Sequence, residues 1–104
     1  MKVQLQGQSL RLRLDEDELA RLLDGEPVAN ETRAPGAVLG HSVRVVEGGA
    51  ATFAAGSDGW HFGLPGDALR DYVARLPCRD ALELGLGQGG EALALSFEVD
   101  VRDS

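Results

Sequence analysis

The chain has 104 residues, a length that predicts one domain spanning residues 1–104. Its 17 acidic residues outnumber the 10 basic ones and give a net charge of −7, which argues against nucleic-acid binding because that affinity comes mostly from lysine and arginine contacts to phosphates. Its one cysteine excludes an intramolecular disulfide, and without a signal peptide or a long apolar run we expect a cytoplasmic protein with no membrane partner.

The first quarter of the chain predicts a β-hairpin followed by a helix. Apolar and polar residues alternate on both sides of Gly7 and Gln8, the period of two that is typical of strands with one buried face. In the segment 15–25, Asp15 can cap a helix, Glu18 can complete a capping box and Gly25 can take the left-handed position after the last turn. Three leucines form its apolar stripe, so we expect the helix to pack on the sheet: Leu19, Leu22 and Leu23.

The middle of the chain predicts four strands and the second helix. We place strands at 27–33 and 38–46, separated by an Ala-Pro-Gly turn, and at 51–55 and 60–64 around a second turn. Trp60, Phe62 and Leu64 share one face of the last of these strands, and His61 points the other way. A helix over 65–76 follows, and Pro77 ends it.

The C-terminal part predicts a closing hairpin with strands at 81–87 and 91–102. Five alternating apolar positions indicate that its second strand is central in the sheet. The whole pattern predicts an α+β fold, with a mostly antiparallel curled sheet or partial barrel of about seven or eight strands and two short helices. Five residues around the first helix recur in type around the second, 50 positions later, which suggests a possible ββαββ internal duplication. The first set is Leu14, Asp17, Leu19, Leu22 and Leu23, and the second is Leu64, Asp67, Leu69, Tyr72 and Val73.

No catalytic, metal or cofactor site is predicted. Two histidines and one cysteine are too few for a structural zinc site, and we expect both His41 and His61 to be solvent-facing strand residues. The glycine-rich segment 85–90 lies between two predicted strands, whereas a phosphate-binding loop precedes a helix.

Four residues are candidates for binding a ligand or a partner: Arg11, Arg13, Trp60 and His61. The two arginines share the exposed face of the first hairpin with Lys2, Gln4 and Gln6, a patch that could receive a small anionic ligand or an acidic partner. The alternative is that Glu98, Asp100 and Arg102 of the last strand neutralise the arginines across the sheet. Trp60 is either a binding hot spot or a core anchor, and its alternation with Phe62 and Leu64 favours the core.

These patterns favour a noncatalytic binding or protein-interaction module. The alternative is a small-ligand-binding or enzymatic protein with a site in or beside the curled sheet, using Trp60, His61, His41 or Arg13. A monomer and a homodimer formed through an exposed edge strand both remain open.

One resemblance adds to this picture. The opening Met1-Lys2-Val3, the segment QSLRLRL over residues 8–14 and the acidic helix that follows resemble a family of short uncharacterised bacterial proteins. The Leu64-Pro65 step before the second helix is similar too. The resemblance implies no activity, cofactor or functional residue.

Overall fold

The computed structural model describes residues 1–101 as an α+β fold of two four-stranded mixed sheets and two helices. The α+β class is therefore confirmed. The strands are β1 (Lys2–Gln6), β2 (Ser9–Asp15), β3 (Val28–Ala34), β4 (Ala37–Val46), β5 (Thr52–Gly56), β6 (Gly59–Pro65), β7 (Leu82–Leu86) and β8 (Leu93–Asp100). The helices are α1 (Glu16–Leu23) and α2 (Gly66–Ala74), and a short 3-10 helix covers Gly89–Glu91.

Each sheet combines one hairpin from each half of the chain. The first sheet has the order β1-β2-β8-β7 and the second has the order β3-β4-β6-β5. The four hairpins are antiparallel, but β2 pairs with β8 and β4 pairs with β6 in parallel. The prediction of mostly antiparallel pairing holds within the four hairpins, but the single curled sheet or partial barrel is wrong, because the strands form two separate sheets in which the hairpins join in parallel. Alternation and turns specify the pairing within a hairpin and leave the pairing between hairpins open.

The predicted ββαββ repeat is also partly wrong, because the second half has an additional 3-10 helix between β7 and β8. Gly87 and Gly89 have φ values of +74° and +65° and direct the chain into this turn, so β8 begins two residues later than predicted. Its predicted end at residue 102 lies outside the described residues. β8 does lie between two other strands, as expected for a central strand.

The sequence signals at α1 are confirmed. The Asp15 carboxylate accepts a hydrogen bond from the Glu18 backbone N–H at 2.7 Å, and the Glu18 carboxylate accepts one from the Asp15 N–H at 3.1 Å. This capping box satisfies two backbone donors that a helix start leaves unpaired. Gly25 has φ +92°, which ends the helix in the left-handed region. Neither helix in the described range is long and apolar enough to cross a membrane.

One core joins both sheets to both helices. Alternate residues of β2, β6 and β8 contribute to it, as do Leu22 of α1 and Leu69 of α2. The Tyr72 hydroxyl of α2 accepts a hydrogen bond from the Val99 N–H at 3.3 Å. α2 directly follows β6 of the second sheet, and Val99 belongs to β8 of the first sheet. This hydrogen bond therefore links the second sheet, through α2, to the first sheet.

His41 is one of the buried positions, with only 6% of its surface exposed. The prediction that it faces solvent was wrong, because it alternates with the buried Val43 on the inner face of β4. His61, in contrast, lies on the outer face of β6 with 41% of its side chain exposed, as predicted.

Candidate functional site

The predicted arginine patch exists, and one carboxylate contacts both of its arginines. Arg13 pairs in register with Lys2 and Arg11 with Gln4, so these side chains share one face of the first sheet. Glu98 lies opposite Arg13 across the parallel β2–β8 pair, and its Oε1 is 3.3 Å from Arg13 Nε and 4.0 Å from Arg11 Nη1. Of the two acids in the ion-pair alternative, Glu98 contacts both arginines, whereas Asp100 lies opposite Asp15. Arg102, also proposed for this role, lies outside the described residues.

The Trp60 side chain packs against the core and also contacts an exposed aromatic side chain. Its ring makes edge contacts with His41, Phe53 and Phe62, at centroid distances of 6.1, 5.5 and 6.5 Å. Phe62 is fully buried, whereas 44% of Phe53 is exposed. The indole is half-buried and therefore joins the interior to an exposed aromatic side chain.

An apolar groove opens beside Trp60, between the two sheets. It has a volume of about 650 Å³, and its apolar lining consists of Leu5, Ala51, Phe53, Trp60, Leu86 and Leu93. The loop between β7 and β8 forms its rim, where Glu91 supplies a negative charge. Leu5 and Phe53 are 53% and 44% exposed, so the groove presents large apolar side chains to solvent.

The edge strand β5 lies along this groove. Within residues 1–101 it pairs only with β6, and all five of its residues are exposed. Of the four edge strands among residues 1–101, β5 alone carries no charged residue. The edge strand β1 carries Lys2, β3 carries Glu31 and Arg33, and β7 carries Glu83. Charges on an edge strand discourage pairing with another chain, so β5 is the edge most open to it.

A second cluster lies on the outer face of the second sheet. His61 Nδ1 is 2.6 Å from Ser42 Oγ, and His61 Nε2 is 3.0 Å from Asp58 Oδ1. We call these three residues the polar relay. The parallel β4–β6 register places Ser42 beside His61, while the β5–β6 turn supplies Asp58.

The hydrogen bonds of the polar relay depend on the tautomer of His61. The hydrogen bond from His61 lowers the pKa of the Asp58 carboxyl, so this carboxylate is ionised at neutral pH and can only accept. In the neutral imidazole that carries its proton on Nε2, Nε2 donates to Asp58 and the lone pair on Nδ1 faces the Ser42 hydroxyl.

Two glycines allow the β5–β6 turn, which carries Asp58, to pack closely against β4. Gly59 has φ +136°, and a Cβ at that position would lie 1.9 Å from the Gly40 carbonyl oxygen. A Cβ at Gly40 would lie 2.5 Å from the Asp58 carbonyl oxygen. Only glycine at these two positions allows this close approach of the turn that carries Asp58.

The buried His41 has no role in the polar relay. Its Nδ1 has no hydrogen-bond partner within residues 1–101, and burial lowers the pKa of the imidazole from 6.5. In the same range, no group of three or more histidine, cysteine, aspartate or glutamate side chains is arranged to hold a metal ion.

No protein-family model matches this chain, and no curated protein does. The resemblance to a bacterial family therefore stays a prediction.

Proposed function

We propose that this protein is an interaction module that binds an extended segment of a partner protein. The segment adds as a fifth strand to β5, at the edge of the second sheet. The observation that carries this proposal is that β5 is an exposed, uncharged edge strand beside the apolar groove.

Strand addition uses groups that β5 already presents. Because β6 is the one strand of the described residues that pairs with β5, the backbone groups along the other side of β5 can form a ladder with a new strand. Such main-chain hydrogen bonds provide affinity, while pockets for alternate side chains provide specificity. Residues of the segment that lie opposite Phe53 would project toward the groove and contact Trp60 and Leu5.

Charge indicates the character of the bound segment. The protein has a net charge of −7, Glu91 stands at the groove rim, and the exposed Asp58 lies in the turn just after β5. A segment with alternating apolar residues and flanking lysine or arginine fits these surroundings. A second copy of this chain fits less well, because pairing two β5 strands would bring like charges together.

A selection of random decapeptides by mRNA display tests the proposal. We expect enriched peptides to alternate apolar residues and to bind the wild-type protein. Phe53→Ser, which removes a groove wall, and Ala55→Lys, which adds a charge to β5, should each weaken that binding at least about tenfold. Ala34→Lys is the matched control, because it adds the same charge to β3 at the opposite edge of the sheet.

Two results would overturn the proposal. One is a selection that enriches no peptide, or only peptides that bind Ala55→Lys as tightly as wild type. The other is a wild-type protein that sediments as a dimer and becomes monomeric on Ala55→Lys, since a second copy would then occupy β5.

The strand pairings also support the proposal of an internal duplication. In the parallel β2–β8 pair Ser9 lies opposite Ala94, and in the parallel β6–β4 pair Gly59 lies opposite Gly40. Gly59 comes 50 positions after Ser9, and Ala94 comes 54 positions after Gly40. Two equivalent halves that exchange hairpins would produce this repeated register. The two outer sheet faces would then be equivalent surfaces with different side chains.

A further inference from the structure

The polar relay has the arrangement that general-base catalysis requires of a serine nucleophile. Asp58 accepts from one imidazole nitrogen of His61, and the other nitrogen faces the Ser42 hydroxyl at 2.6 Å. A base within hydrogen-bond distance of a hydroxyl, itself oriented by a third group, is the signature of an activated nucleophile.

We propose that Ser42 accepts the acyl group of a small carboxylic ester on the outer face of the second sheet. Ser42 Oγ forms a bond to the ester carbonyl carbon as its proton moves to His61 Nδ1. The bond from that carbon to the alcohol oxygen then breaks, and the alcohol leaves with the proton held by His61. Water attacks the acyl-Ser42 carbonyl in the same way, giving a carboxylic acid and the free serine.

The surroundings of Ser42 leave room for a small acyl group. Its in-register neighbour on β3 is Ala29, and the in-register neighbour of His61 on β5 is Ala54, and both are exposed. Ser42 and His61 are themselves half-buried. A planar ester of small size can therefore approach Ser42 Oγ without displacing a large side chain.

The first sheet provides a matched serine without a base. Ser96 of β8 lies opposite Arg11 of β2, at the positions that the repeated register makes equivalent to Ser42 and His61. A guanidinium cannot accept a proton from a hydroxyl. Ser96 therefore serves as a control for surface serine reactivity on the same fold.

Acetylation by p-nitrophenyl acetate tests the proposal. We expect release of p-nitrophenolate, and mass spectrometry of protein quenched in acid during the first turnovers and then digested should place one acetyl group on Ser42 before water removes it. Ser42→Ala should abolish this adduct, and His61→Gln should slow its formation at least about 100-fold. Ser96→Ala should leave the rate unchanged. Circular dichroism of each variant establishes that the fold is kept.

The proposal is overturned by an adduct that forms equally fast in His61→Gln, by one that maps to another residue, or by no adduct. Asp58 acts as a positioning residue, and its test is rescue by the conservative variant. Asp58→Asn should slow acetylation of Ser42 at least about tenfold, and Asp58→Glu, which restores a carboxylate, should recover most of the rate. An unchanged rate in Asp58→Asn would contradict that role.

Discussion

Arg13 and Glu98 face each other across the parallel β2–β8 pair, with Arg13 Nε and Glu98 Oε1 3.3 Å apart. This ion pair joins a strand from the beginning of the chain to one from the end. It also gives the arginine patch, visible in the sequence, one carboxylate that contacts both Arg11 and Arg13.

We expect Arg13→Gln to lower the free energy of unfolding by less than about 1 kcal/mol, because 46% of the arginine side chain is exposed and solvent screens the pair. Urea denaturation of the variant and the wild type measures this difference. A loss of more than about 2 kcal/mol would show that the pair contributes far more than an exposed pair does.

Substitution of Gly59 should destabilise the protein far more than substitution of a glycine in an open loop. Gly59→Ala places a Cβ 1.9 Å from the Gly40 carbonyl oxygen at φ +136°, so we expect it to lower the free energy of unfolding by at least about 2 kcal/mol. Gly49→Ala is the control, because its Cβ meets nothing within 4 Å. Equal stability of the two variants would contradict the close packing of the β5–β6 turn on β4.

The buried His41 makes stability depend on pH. Burial lowers the pKa of its imidazole below the 6.5 of an exposed histidine, so the unfolded chain binds more protons in that range. The free energy of unfolding should therefore fall as the pH drops from about 7.5 to about 5.5.

His41→Leu removes that titration and should make the fall between these pH values smaller. Urea denaturation at both pH values measures it, with His61→Gln as the control for the exposed histidine. If His41→Leu shows the same fall as the wild type, the buried imidazole is not its source.

The exchange of hairpins between sheets predicts how fragments of the chain behave. Because β2 pairs with β8 and β4 pairs with β6, neither 1–50 nor 51–104 contains a complete sheet. We expect each fragment alone to be unfolded by circular dichroism and an equimolar mixture to recover the native spectrum. A stable fold of either fragment alone would contradict the interdependence of the two halves.

The sequence predicted the elements of this fold better than their arrangement. The capping box of Asp15 and Glu18 and the left-handed Gly25 locate α1 through local chemistry, and these signals need no tertiary information. Alternation located the eight strands within a few residues. The parallel pairing of β2 with β8 is not a local property, because it joins residues such as Ser9 and Ala94 that are far apart in the chain.

The polar relay could not be predicted for the same reason. The spacing of Asp58 and His61 is visible in the sequence, but Ser42 reaches them only through the parallel β4–β6 register. The burial of His41 was missed because a histidine in an alternating strand gives no sign of which face it shares. The placement of Trp60 and Phe62 on one face of β6 and of His61 on the other was predictable, because alternation along a strand is a local pattern.

Amide hydrogen exchange of the protein with and without a selected decapeptide tests strand addition at β5 most directly. If the peptide forms a new strand there, exchange should slow within Thr52–Gly56 and stay unchanged along Val28–Ala34 at the opposite edge of the sheet. Unchanged exchange along β5 with a bound peptide, or slowing confined to another edge strand, would contradict the proposed function.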